Sequence, residues 1–277
     1  DRPPEITFAD CRSCKFLPGS EQAKPLTIRV PWAAGDNVVA TCAVHELARQ
    51  YPGKYRITIR THYPQIWEHT PHVERVEQAE NNEDHLTGSR WIQLDAQAAL
   101  NLSARQPVHY LEAFCRDLAR QLGLPALEIS AFRGHVYLHD VEKTVNPLAG
   151  LPRPWWLLTA GGKLDCTCKL WPPEHFAAVV KQLQGRVHFV QVGALDTDSG
   201  GHVHPAIPVV VDLRGRTNHR QLAQLVYHAD GILCGNTYLM HLAAAVDNPP
   251  WRPWLRPCVV LAGGRESVHW FHYPGHT

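Results

Sequence analysis

The pattern of apolar and polar positions is most regular from Leu151 onward. Trp155-Trp156-Leu157-Leu158-Thr159 is a short apolar run of buried-strand length. Pro172 and Pro173 suit the first turn of a helix, and Phe176, Val179, Val180 and Leu183 then share one face. Further strands are predicted at Val187–Val192, Val209–Asp212, Gly231–Cys234 and Cys258–Ala262. Helical spacing separates them at Leu222–Ala229 and Met240–Val246. Strand and helix alternate throughout, the signature of a doubly wound parallel α/β sheet.

The first half carries the same rhythm less evenly. Residues 1–25 are polar, contain proline and show no period, so they read as an arm. Thr27–Val30 predicts a strand and Pro31–Asp36 a turn, with Asp36 or Asn37 placed to cap the next helix. Val39, Cys42, Ala43 and Leu47 then recur at helical spacing up to Tyr51-Pro52-Gly53, and Tyr55–Arg60 alternates like a strand. This strand–helix–strand unit belongs to a parallel sheet. Arg90–Leu94 could add a strand, and Leu111, Phe114, Cys115, Leu118 and Leu122 form an amphipathic helix stopped by Gly123 and Pro125. Val145–Pro154, with three prolines and a glycine, reads as a linker. The expected organisation is therefore an arm (1–25), a first α/β domain (26–150) and a second (151–277).

Composition narrows the class. The chain has 277 residues, 44% of them hydrophobic and 19% charged, which supports packed cores and argues against disorder. A net charge of +1 leaves no global basic field for nucleic acid. No apolar run reaches the ~18–20 residues of a membrane span, and the first residues do not form a secretory signal. The 8 cysteines are scattered through a long chain, which favours a reducing cytoplasm over a disulfide framework.

Candidate chemistry gathers at the predicted carboxyl ends of strands, where open parallel sheets bind ligands. Four such ends carry polar or glycine-rich turns: Thr159-Ala160-Gly161-Gly162, Gly193, Gly235-Asn236-Thr237 and Gly263–Glu266. The Gly235–His241 segment is the sharpest. Gly235 permits close backbone approach, Asn236 or Thr237 can cap the following helix, and that helix start offers free N–H groups to a diphosphate, with His241 one turn inside. Capping and packing alone would also explain these residues. Lys169 follows the first strand of this half and can pair with phosphate, or stand solvated. Asp36 could be a general base or a capping carboxylate, and the two roles are compatible. His202-Val203-His204 reads as a surface loop before a metal pair. Cys11-x-x-Cys14 has the spacing of half a zinc or iron site, which Cys166-x-Cys168 could complete if the arm folds back. The phosphate loop Gly-x-x-x-x-Gly-Lys-Ser/Thr and the nucleophile elbow Gly-x-Ser-x-Gly are absent.

Three stretches together resemble glycosyltransferase family 9, the heptosyltransferase family of GT-B architecture. They are the turn Ala34-Gly35-Asp36 before a helix; Lys169-x-Trp171-Pro172 before Glu174-His175-Phe176; and the run from Asp212-Leu213-Arg214-Gly215 through Gly235-Asn236-Thr237 to His241-Leu242-Ala243-Ala244-Ala245. The last is similar to the family's Asp-Thr-Gly-x-x-His-Leu-Ala-Ala signature. The resemblance implies two Rossmann-like domains facing a central cleft, with a nucleoside diphosphate sugar held mainly by the second. Asp36 would deprotonate a hydroxyl of a saccharide or protein acceptor. Lys169 and the N–H groups near Thr237 would stabilise the leaving diphosphate, with inversion at the anomeric carbon and no metal in the chemistry.

The chain departs from the family pattern. Asn236 stands where the family has Asp and Tyr238 where it has Gly, and the family normally continues beyond a point corresponding to Thr277, which suggests truncation or a replaced tail. The arm's Cys pair is similar to the autotransporter heptosyltransferase branch, where cysteine-bound iron is known. Two other readings stay open. A non-catalytic nucleotide-sugar-binding homologue would fit Asn236 and Tyr238. An NAD-dependent oxidoreductase would share the fold but lacks its Gly-x-Gly-x-x-Gly fingerprint.

Overall fold

The computed structural model describes residues 23–79, 90–195, 201–208, 211–252, 254–263 and 266–277. Its described residues form two compact units, one of 23–138 with 269–273, the other of 139–268 with 274–277. No described helix is long and apolar enough to cross a membrane.

The first unit is built on strands β1 (Lys24–Val30), β2 (Tyr55–Thr61), β3 (Val73–Gln78) and β4 (Arg90–Gln93). All pairings are parallel, in the order β3-β2-β1-β4. The inner strand β1 buries Leu26, Ile28 and Val30, and Thr27 is buried as well, so it is covered on both faces as parallel strands are. Helix α1 (Ala34–Gln50) is buried continuously from Asn37 to Val44. It touches β1 on one side and α4 (Tyr110–Leu122) on the other, which is why its sequence lacks a pronounced polar face.

Each end of α4 has a local cause. His109 accepts the Leu111 N–H at 3.1 Å while Glu112 accepts the His109 N–H at 3.3 Å, a capping box. Gly123 closes the helix at φ 66°, a left-handed conformation that glycine adopts without penalty. Short helices α2 (Pro64–Trp67) and α3 (Ala96–Ser103) complete the layer; Asp95 caps α3 through the Ala98 N–H at 2.9 Å. Residues 269–273 return to this unit. The Trp270 indole donates to the Ser103 carbonyl at 2.7 Å, and Tyr273 is buried edge-on against His109.

The second unit carries α5 (Asp140–Thr144), β5 (Trp155–Thr159), β6 (Gly162–Lys163), α6 (Pro173–Gln182), β7 (His188–Gln191), β8 (His202–Val203), β9 (Val211–Asp212), α7 (His219–His228), β10 (Gly231–Gly235), α8 (Tyr238–Ala245) and β11 (Cys258–Leu261). Its main sheet is parallel in the order β11-β10-β5-β7-β9. The strand expected at Val209–Asp212 is described only at Val211–Asp212, since 209 and 210 lie outside the described residues. Phe176 and Val180 of α6 pack on Leu158, Phe189, Ile207 and Leu233, which forms one side of the core.

Two ionic contacts brace this unit. Asp230 accepts the Trp155 N–H at 2.9 Å and Arg252 at 3.0 Å, and also pairs with Arg153. Arg220 of α7 pairs bidentately with Glu142 of α5, with Nε to Oε1 at 3.0 Å. The tail 274–277 adds a bridge beside β11, with the Thr277 N–H on the Cys258 carbonyl at 2.9 Å.

Candidate functional site

The carboxyl ends of β5, β10 and β11 lie side by side in the second unit. In register, Thr159 faces Cys234, and Gly235 faces Leu261. The two-turn 3-10 segment Leu164–Lys169 lies against these ends. Its closeness explains two glycines. A Cβ on Gly263 would meet the Cys168 carbonyl oxygen at 2.1 Å, and one on Gly235 the Lys169 carbonyl oxygen at 3.2 Å. Gly235 and Gly263 therefore admit the backbone that delivers Lys169 to the strand ends.

The Lys169 ammonium sits 2.7 Å from Glu266 Oε1, and the Asn236 amide donates to the other oxygen of the same carboxylate. Three loops are thus tied through one carboxylate: those after β10 and β11 and the segment before α6. Lys169 is 27% exposed and Glu266 15%, so the pair is half withdrawn from solvent.

Thr237 occupies the N-cap position of α8, as expected for Asn236 or Thr237, but its hydroxyl makes no capping bond. That hydroxyl is buried with no partner among the described residues. The first turn of α8 therefore presents N–H groups and an unspent hydroxyl. His241 is buried one turn inside the helix, and Tyr238 at its start meets the His219 ring nitrogen at 3.3 Å.

Thr159 ends β5 buried. Gly193, by contrast, has a packing reason: its φ is 143°, and a Cβ would lie 2.6 Å from the His204 ring. The loop expected at His202–His204 includes β8, which pairs antiparallel with β6. Gly161 allows that ribbon to cross, since a Cβ there would sit 1.9 Å from the Val203 carbonyl oxygen. Burial, and then His202 and Arg214, hold the His204 imidazole down to about 4.

In the first unit, the turn after β1 differs from expectation. Neither Asp36 nor Asn37 caps α1: the N-cap is Ala33, with no side-chain capping bond. The helix begins three residues earlier than an Asp36 cap would require, and four earlier than an Asn37 cap, because Asn37 serves another purpose. Fully buried, it donates to the Trp32 carbonyl at 2.9 Å and the Ala33 carbonyl at 3.2 Å. Its own oxygen accepts the Thr61 hydroxyl at 2.7 Å and the Trp67 indole N–H at 3.0 Å. Asn37 thereby ties the β1–α1 turn to β2 and α2, and was not singled out from sequence for that role. Asp36, in the first turn of α1, is half-buried. Burial, with the Asp36 carboxylate adding to it, pushes the nearby Tyr63 hydroxyl up.

Cys11 and Cys14 lie outside the described residues, and Cys168, in the segment before Lys169, is exposed. A His/Glu group that the sequence did not flag joins α1 to the segment after α4. His45, Glu46 and His135 have ligand atoms within 4.8 Å of one another. The His45 and His135 rings, however, are stacked at 3.7 Å and only 16° apart, so no ion can lie close to both ring planes as they stand. Glu46 is committed to the Ser130 N–H at 2.7 Å, the Ser130 hydroxyl at 2.6 Å and Arg49. The cluster reads as packing of neutral imidazoles. Burial first, and His45 next, hold His72 down to about 4 and His135 to about 3.

The family model of glycosyltransferase family 9 (heptosyltransferase) matches residues 89–250, more than half of the chain. The chain belongs to glycosyltransferase family 9. A curated relative, lipooligosaccharide heptosyltransferase 2 of Haemophilus influenzae, is 31% identical over 88 residues, 29% of this chain. The match spans a quarter of that relative's length (25%). Among solved structures, a glycosyl transferase of family 9 from Veillonella parvula aligns over 94% of this chain and 88% of its own, with a TM-score of 0.69 at 13% identity. The E. coli ADP-heptose LPS heptosyltransferase II aligns over 92% and 89%, with a TM-score of 0.64 at 19% identity. The fold of this family 9 member is accordingly GT-B type, with two Rossmann-like units.

Proposed function

We propose that this protein is an inverting glycosyltransferase that moves a sugar from a nucleoside diphosphate sugar to an acceptor hydroxyl. The observation that carries the reading is the convergence on one set of strand ends of Lys169, Asn236, the unspent Thr237 hydroxyl and the α8 N-terminus. An ammonium beside a helix start matches a diphosphate, whose charge grows as it leaves. Thr159, Gly235 and His241 shape the same pocket floor in this reading, and Gly193 shapes it only through His204.

The acceptor oxygen attacks the anomeric carbon as the bond from that carbon to the diphosphate oxygen breaks. The bonding pair leaves on the nucleoside diphosphate, and the acceptor proton passes to the Asp36 carboxylate. Lys169 and the first N–H groups of α8 take up the charge that the leaving group gains. Such stabilisation needs no metal. ADP-heptose, named for the E. coli structure, is the first donor to try, with a saccharide or protein as acceptor. The free thiols at Cys42, Cys115, Cys234 and Cys258 suit a reducing cytoplasm, where nucleotide sugars are supplied.

The test incubates the protein with a panel of nucleoside diphosphate sugars and follows thermal shift and donor hydrolysis. The expected result is stabilisation by at least one donor, reduced in Lys169→Ala. No stabilisation by any of them removes the donor site. Asp36→Ala is expected to abolish transfer while donor binding survives; retained transfer removes Asp36 as the base.

A further inference from the structure

Lys169 is the cation that the donor reading assigns to a diphosphate, yet a carboxylate already holds it. Glu266 Oε1 stands 2.7 Å from Lys169 Nζ, and its second oxygen accepts from the Asn236 amide. A phosphate oxygen approaching the same ammonium meets a like charge at hydrogen-bond distance, in a place where both side chains are half withdrawn from water. The two anions cannot share Lys169 in this geometry without strong repulsion.

We propose that Glu266 is a resident anion of the donor site. It holds Lys169 in place while the site is empty, yields it when the diphosphate of the donor binds, and competes to regain it once the nucleoside diphosphate product remains. Glu266 is thus a positioning residue that acts through Lys169. This inference rests on the donor-site reading above.

The anchoring supports an exchange rather than a fixed strut. Glu266 sits in the loop after β11, between Gly263 and the 3-10 turn Val268–Trp270, and among the described residues it is held by the side chains of Lys169 and Asn236. Both partners are themselves at the proposed diphosphate position. The Asn236 amide is uncharged and can turn its N–H to a phosphate oxygen as readily as to a carboxylate. Removing the carboxylate's charge, with its shape kept, should therefore strengthen anion binding. A purely structural tether predicts the reverse, because its loss would let Lys169 and the loops drift.

Isothermal titration of the full chain with ADP and with inorganic diphosphate distinguishes the two. Glu266→Gln is expected to bind both about fivefold more tightly than the wild type, the scale of a partly exposed ion pair. Glu266→Ala serves as the second variant should Gln distort the loop, and it is expected to shift affinity in the same direction. In a Lys169→Ala background the gain from Glu266→Gln should vanish. Unchanged or weaker binding in both Glu266 variants, with the wild type binding normally, overturns the resident-anion role and leaves the donor site intact. Failure of the wild type and both variants to bind any nucleoside diphosphate or diphosphate overturns the donor reading and this inference with it.

Discussion

Asn37→Ala tests the support beneath the proposed base. The side chain is fully buried; its amide donates to the Trp32 and Ala33 carbonyls, with the Val30 carbonyl a longer third acceptor at 3.4 Å, and its oxygen accepts from Thr61 and Trp67. The losses are unequal. The Ala33 carbonyl keeps the Asn37 backbone N–H at 3.1 Å, and the Thr61 oxygen keeps the Tyr63 N–H at 3.0 Å. The Trp67 indole N–H, on a residue with 0% exposure, has no such alternative among the described residues and becomes a buried orphan. That orphan costs about 1–3 kcal/mol, and the remaining bonds with the small void add ~1–2, so a loss of about 3 kcal/mol is expected. The assay is urea unfolding, with the transitions of the two units fitted separately. Trp67→Phe removes the orphan donor, so Asn37→Ala/Trp67→Phe should be less destabilised than the sum of the single variants by at least ~1 kcal/mol. A loss below ~1 kcal/mol in Asn37→Ala, or strict additivity in the pair, refutes the hub. Asp36 rides on the same turn, so transfer should fall further than ADP affinity does.

Other outcomes follow from the same geometry. Gly263→Ala drives a methyl to 2.1 Å from the Cys168 carbonyl, so the Lys169 segment must shift; ADP affinity is expected to fall about tenfold or more, while Gly150→Ala, with open space around it, stays neutral by the same titration. Arg220→Ala strands the buried Glu142 carboxylate and should cost about 3 kcal/mol, read from the urea midpoint of the second unit. Acid should destabilise both units. His72 and His135 in one and His204 in the other have folded values of about 4, about 3 and about 4 against an ordinary 6.5, because burial disfavours the charged ring. Their neutral forms contribute fully above pH 6.5, and the contribution is lost as pH falls from 6.5 toward those values; at pH 5 each costs up to about 2 kcal/mol. Urea midpoints at pH 7.5 and 5.0 measure this. His135→Gln should flatten the drop, and an unchanged drop in that variant would assign it elsewhere.

The regular part of the fold was legible because its cause is local. Trp155–Thr159, Phe176–Leu183, Gly231–Cys234 and Cys258–Leu261 carry their strand or helix pattern within a few residues, and the parallel sheet follows from their alternation. What escaped depends on partners distant in sequence. β3, Val73–Gln78, has mostly polar side chains on an edge strand, so no apolar rhythm announces it. β6 and β8 are two residues each, and exist because Gly161 lets one chain cross another. The capping role expected for Asp36 or Asn37 was a reasonable local rule, but Asn37's better partners, Thr61 and Trp67, lie 24 and 30 residues away. Gly193 looked like a ligand-facing turn; the His204 ring that demands it is eleven positions later and reaches it only through the ribbon.

The same distinction bears on the departure at Asn236. As a motif, Asn for Asp removes a carboxylate from the signature and suggests a weakened site. In the fold, the carboxylate is supplied again by Glu266, thirty residues on, and the Asn amide is what allows it to sit there. An Asp at 236 would present a second negative charge to Glu266 where a donor N–H now stands, and both would crowd Lys169. Asn236→Asp should therefore set two carboxylates against each other beside Lys169 rather than restore a family-like site. Its expected signature is weaker ADP binding than the wild type, recovered when Glu266→Gln is added, because one carboxylate beside Lys169 can be accommodated and two cannot. Isothermal titration of the single and double variants reads this directly. If Asn236→Asp alone binds ADP as tightly as the wild type, the two positions are not coupled, and the substitution at 236 has no compensation in Glu266.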